Sequence, residues 1–316
     1  MTFEQNPQSA ASPRSHLAPP VGPVTGVKSI FWNEKELRAG WRLAIFVLFV
    51  ALLASGGMGL VILLHLPLAS RTAITPGAIF SQEIVTFLAT LAATLIMGRL
   101  ERRPFGVFGL PRAGAFGGRF WHGAAWGIAM IAAVILLIRV FGGFSFGDLA
   151  LHGLAAWRYA LIWAVVFLSV GFSEEFLFRG YAQFTLATGL GFWPAATLIS
   201  AAFGAAHLNN GGEDKIGAVS VFVVGMFFCL TLRRTGNLWF AVGMHAAFDW
   251  GETFLFSVPD SGLVASGHLL NSSLHGPAWL TGGSVGPEGS LILFVVVALA
   301  TVIFSRVYSP REENRK

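Results

Sequence analysis

Residues 156–184 read AWRYALIWAVVFLSVGFSEEFLFRGYAQF, a run apolar enough to lie in a bilayer that nevertheless carries two adjacent carboxylates, Glu174 and Glu175, followed by Arg179. A charged side chain at the centre of a membrane costs at least about 2.5–3.5 kcal/mol on insertion scales, so acids there call for a partner or a task. In a helix Glu175 and Arg179 form an i, i+4 pair on one face, whereas Glu174 points about 100° away from Glu175 and lacks that built-in partner. The stretch predicts one acid held structurally and one free to work. The plainer alternative makes both acids salt-bridge glue, or places them in a cytosolic extension of the helix.

Working outward, the composition fixes the solvent. The chain is 54% hydrophobic and 12% charged, with a mean hydropathy of +0.67, too apolar for a soluble globular protein of 316 residues. Apolar stretches recur at 41–66, 77–98, 119–141, 156–184, 192–208, 216–232, 237–256 and 289–307, each near or above the roughly 20 residues a spanning helix needs. The expected fold is all-α: a polytopic membrane protein of about eight transmembrane helices, of which 192–208 and 216–232 are the shortest. The first stretch starts too far into the chain and is too long for a cleavable signal peptide, so it is expected to stay.

Charges in the short loops set the orientation. Lys28, Lys35, Arg38 and Arg42 precede the first span; Arg99, Arg102, Arg103 and Arg112 separate the second and third; Arg233 and Arg234 separate the sixth and seventh; Arg306, Arg311, Arg315 and Lys316 follow the eighth. Basic short loops stay in the cytoplasm, so both termini are expected there. The longest alternate connection, Ser257 to Glu288, contains no Lys or Arg. The net charge of +5 and pI near 9.9 follow from that bias and require no nucleic-acid partner. Residues 1–40, rich in Pro, Ser and Ala, read as a disordered cytosolic tail, with a short interfacial helix over 29–41 presenting Trp32 and Trp41 at headgroup level. The single cysteine, Cys229, is expected to pack within the sixth span.

Two further polar clusters lie in the spans. Phe203 and His207 form F-x-x-x-H near the end of the fifth, among small residues that permit close helix approach. His245 and Asp249 form H-x-x-x-D in the seventh, on one helix face that Glu252 continues. Singly, each histidine reads as a hydrogen-bonded packing residue. Three clusters on three helices are most cheaply buried by converging on one hydrated cavity. Glu83, His65, His122 and His152 have no comparable companions and are expected to pack or to sit at interfaces. In such a cavity a carboxylate and a histidine sharing a water can act as general base, while a second histidine donates to a developing oxyanion; this is the chemistry of peptide hydrolysis. Equally, His207, His245 and Asp249 could hold a divalent metal such as Zn²⁺ with a glutamate as base, although no H-E-x-x-H occurs. The absence of a Walker A sequence and of a cysteine dyad argues against nucleotide chemistry and a cysteine nucleophile.

Together, S-E-E-F-L-F-R-G around Glu174, Glu175 and Arg179, F-x-x-x-H at Phe203 and His207, and H-x-x-x-D at His245 and Asp249 resemble the three ordered motifs of the CPBP family (CAAX proteases and bacteriocin-processing enzymes), also called the Abi or type II CAAX prenyl endopeptidase family. The R-x-G-x-L-W stretch at Arg234 to Trp239 adds to the likeness, which covers roughly Trp157 to Phe256. The resemblance implies an intramembrane endopeptidase in which Glu174 and His207 activate a water, His245 and Asp249 stabilise the oxyanion, and Glu175 and Arg179 position the others. An ionised Asp cannot donate to an oxyanion, so Asp249 would orient His245 or be kept protonated by burial. The family is described both as metal-dependent and as metal-free, and the wide dispersion of the ligand set favours the metal-free water. The organisation expected is a tail at 1–40, N-terminal transmembrane helices at 41–150, a CPBP-like core at 151–260, and an outer loop, last span and basic tail at 261–316. The implied substrate is a membrane-embedded or membrane-tethered protein or peptide, and the signal-free, cysteine-poor chain fits a bacterial inner membrane. Two rival classes are a catalytically silent bacteriocin-immunity scaffold and an ion- or proton-coupled transporter. The latter predicts broken helices and an inverted repeat, neither visible in the sequence.

Overall fold

A computed structural model describes residues 26–34, 36–68 and 73–308. Of the expected tail, 1–25 lies outside the described residues, as do Lys35, Arg311, Arg315 and Lys316. The protein is 72% helical. Each apolar stretch becomes a helix: α1 Ala39–Leu63, α2 Pro76–Glu101, α3 Gly118–Val140, α4 Gly153–Leu177, α5 Phe192–His207, α6 Lys215–Thr235, α7 Trp239–Trp250 and α8 Leu291–Val307. Five are long and apolar enough to cross a membrane by length and composition: α1, α2, α3, α6, and α4 with its continuation, which runs 38 residues from Gly153 to Leu190. The others are shorter; α5 has 16 residues, α8 has 17, and α7 has 12 plus a five-residue π-turn, Gly251–Leu255. The expected interfacial helix is a single turn, Lys28–Phe31, with the Trp41 indole donating to the Ile30 carbonyl at 3.1 Å.

The helix ends meet in two groups. The connections after α1, α3, α5 and α7 touch one another: 73–74 pairs in parallel with 264–265, 144–145 pairs antiparallel with 273–274, and Asn210 donates to the Ser261 carbonyl at 3.0 Å. At the other end, Arg42 from the start of α1 binds Glu101 at the end of α2 at 3.1 Å and Thr188 beyond α4 at 2.6 Å. Tyr181 also donates to Glu101. There too Leu238 donates its backbone N–H to Gly109 at 2.8 Å, and Trp239 its indole N–H to Pro111 at 3.0 Å. Arg42, expected only as a loop charge, is buried and ties three helices together.

Helix association in lipid gains little from hydrophobicity, because the tails are as apolar as leucine; it rests on close packing. Here α3 and α7 meet backbone to backbone. A Cβ on Gly123 would lie 2.0 Å from the Phe240 carbonyl oxygen, one on Gly127 2.2 Å from that of Met244, and one on Gly243 2.1 Å from that of Phe120. This G-x-x-x-G contact fixes α7 alongside α3, with Ile131, Ile135, Met244 and Phe304 packed around it. Gly236 ends α6 with φ +78°, a left-handed cap that glycine adopts without strain, so the chain turns directly into α7.

Beyond Leu177, α4 continues through a π-turn, Phe178–Ala182, to Gln183–Leu190. Gly180 departs from helical geometry there, with ψ −127°. The sequence showed no such interruption. π-turns concentrate at functional sites, and this one begins three residues after Glu175. Cys229 is buried 3.8 Å from the Ser200 hydroxyl, in a packing role.

Candidate active site

Glu174 and Glu175 leave α4 in different directions, as the helical angle requires. Glu175 is fully buried; its Oε1 accepts from Arg179 Nη1 at 3.1 Å and from His245 Nδ1 at 3.0 Å. Arg179 is equally buried and otherwise lies between aromatic faces, its Cζ 4.1 Å from the Phe203 ring centroid and 5.3 Å from that of Phe228. Rings near a desolvated guanidinium offset part of the water it has lost. The phenylalanine of F-x-x-x-H therefore covers the arginine of the first motif. His245 stacks on Phe228, with centroids 5.1 Å apart.

With Nδ1 donating to Glu175, His245 turns Nε2 toward Glu174 Oε2 at 3.6 Å and Asp249 Oδ2 at 3.5 Å. Both separations exceed a good hydrogen bond. Glu174 is the half-buried member of its pair. At the end of α5, His207 Nδ1 lies 2.9 Å from the Phe203 carbonyl. A carbonyl can only accept, so Nδ1 is the donor, and Nε2 is left outside that bond.

Glu174, His207, His245 and Asp249, from α4, α5 and α7, line one cavity of about 380 Å³. Glu175 and Arg179 stand behind its wall. Sequence reasoning missed Gln82 and Glu83 of α2, which also line the cavity, and Asn209, Asn210, Asp260 and Glu288 at its loop end. Glu83 carried a signal, as an acid inside an apolar helix; the loop residues carried none, because only the folded chain brings the two ends of 257–288 together. Glu252, expected to extend the His245–Asp249 face, is instead buried away from the cavity in the π-turn that follows α7.

Among the described residues, only Glu252, Asp260 and Glu288 bring ligand atoms from three His, Cys, Asp or Glu side chains within 4.8 Å of one another. Burial and the neighbouring Glu288 push Asp260 up to about 8 and Glu213 up to about 7.

Residues 156–251 match the family model described as type II CAAX prenyl endopeptidase Rce1-like, spanning all three motifs and the cavity's three principal helices. Over these residues, less than half of its length, the chain is similar to that family. No curated protein and no solved structure matches it. The apolar helices and this likeness support an integral membrane protein, and a likeness to CAAX endopeptidases implies membrane-associated peptide substrates.

Proposed function

We propose that the chain hydrolyses a peptide bond in a membrane-tethered protein, using a water that Glu174 activates without a metal. The observation that carries this reading is the convergence of Glu174, His207, His245 and Asp249 on one cavity. Water held between Glu174 and the free Nε2 of His207 gives its proton to Glu174 and its oxygen to the scissile carbonyl carbon. His245, anchored through Nδ1, presents Nε2–H to the oxyanion; in that role the ring is imidazolium, its charge offset by Glu175 and Asp249. Glu174 then passes its proton to the leaving nitrogen as the C–N bond breaks. Asp249, 3.5 Å from Nε2, orients the ring, and Arg179 holds Glu175 in place. The location proposed is a bacterial inner membrane.

The test is cleavage of a membrane-tethered peptide by purified protein, with wild type beside Glu174→Ala. Equal cleavage by both overturns the reading. Activity should survive exhaustive chelation at temperatures well below unfolding. Stoichiometric metal lost together with activity on His245→Ala would replace the water mechanism with a metal-dependent one.

A further inference from the structure

At the cavity's loop end lie three carboxylates without an ion-pair partner, two of which, Asp260 and Glu288, line the cavity. Glu252 is fully buried in the π-turn after α7, and neither of its oxygens has a hydrogen-bond partner. Asp260 accepts from the Thr253 hydroxyl at 2.8 Å, and Glu288 accepts from the backbone N–H of Ser261 at 2.9 Å and from its hydroxyl. One oxygen from each of the three acids falls within 4.8 Å of the other two. No Lys, Arg or His among the described residues comes within ion-pair distance of any of them. A buried carboxylate without partner or cation is costly, and three gathered together repel.

We infer that Glu252, Asp260 and Glu288 form a binding site for a hard divalent cation, calcium or magnesium, separate from the residues that activate water. The donors are all carboxylate oxygens, the set that hard cations prefer and that lacks the nitrogen and sulfur ligands typical of zinc. The two orphaned oxygens of Glu252 point to a missing electropositive partner. The ion would join the π-turn after α7 to both ends of the 257–288 loop, fixing the loop where Asp260 and Glu288 reach the cavity wall. Basic-loop bias puts that loop outside the cytoplasm.

The inference does not depend on peptide cleavage, and its test reads none. Full-length Glu174→Gln protein, stripped with chelator and dialysed, is titrated with Ca²⁺, Mg²⁺ or Zn²⁺ while bound metal per chain and the thermal unfolding midpoint are followed. One Ca²⁺ or Mg²⁺ per chain is expected, saturating near the about 0.1–1 mM typical of extracellular calcium modules, with binding weakened about tenfold or more by Glu252→Gln or Glu288→Gln. The midpoint should climb with ion concentration, by mass action on the folded state. Glu252→Gln removes a buried charge at constant shape, so in chelator it should unfold no earlier than its parent. An unresponsive parent protein, an ion retained undiminished by Glu252→Gln, or an ion lost instead on His245→Ala would each overturn the assignment.

Discussion

Glu174 and Glu175 are neighbours in sequence and opposites in circumstance, one at a cavity edge and the other locked between Arg179 and His245. Glu174→Gln should therefore lower cleavage by about 10²–10⁴-fold, the range for losing a general base, and leave the unfolding midpoint unchanged. Arg179→Ala should cost yield and stability, because it takes from buried Glu175 its guanidinium and leaves it only His245; thermal unfolding of the two variants side by side decides this. The loop acid Glu213 makes a pH prediction. Burial first, and Glu288 second, raise it from the ordinary 4.5 to about 7, so the folded state binds the extra proton between those values. Stability of ion-free protein should fall as pH rises from about 4.5 through 7, a slope that Glu213→Gln should reduce. The three motifs were legible because each acid or histidine stands out against an apolar helix. What was illegible was partnership: spacing gave Glu175 to Arg179, but that the same oxygen also takes His245, 70 residues on, depends on how α4 meets α7.

At the scale of elements, hydropathy located every helix to within a few residues, since a bilayer-length apolar run leaves the chain few other folds. It did not give the break at Gly180 or the π-turn after α7, where the helices depart from a regular ladder without a proline to mark it. The α3–α7 seam decides where His245 stands. Gly127→Leu should drive a side chain into the Met244 carbonyl and cost at or above the about 3 kcal/mol upper end for overpacking, with cleavage lost together with folding. Gly118→Ala, at the start of the same helix, where an added Cβ meets nothing within 4 Å, is the matched control. Equal midpoints for the two variants would remove the seam from the account of how the site is held.

For the whole molecule, the basic-loop pattern and the two groups of touching helix ends agree on an alternating path, and we propose eight crossings with both termini in the cytoplasm. Reporter fusions after Lys316 and within the Arg99–Arg112 loop should read as cytoplasmic, and one within Ser257–Glu288 as the opposite side. A cytoplasmic reading from Ser257–Glu288 would break the alternation, and with it the argument that the connections after α1, α3, α5 and α7 share one face. The backbone contact between α3 and α7 bears on how such a molecule breathes. Two helices whose main chains touch have no side-chain layer to slide on, so they should open last and together. In deuterium, the amides around Gly127 and Gly243 should be among the slowest to exchange, while the 257–288 loop exchanges early.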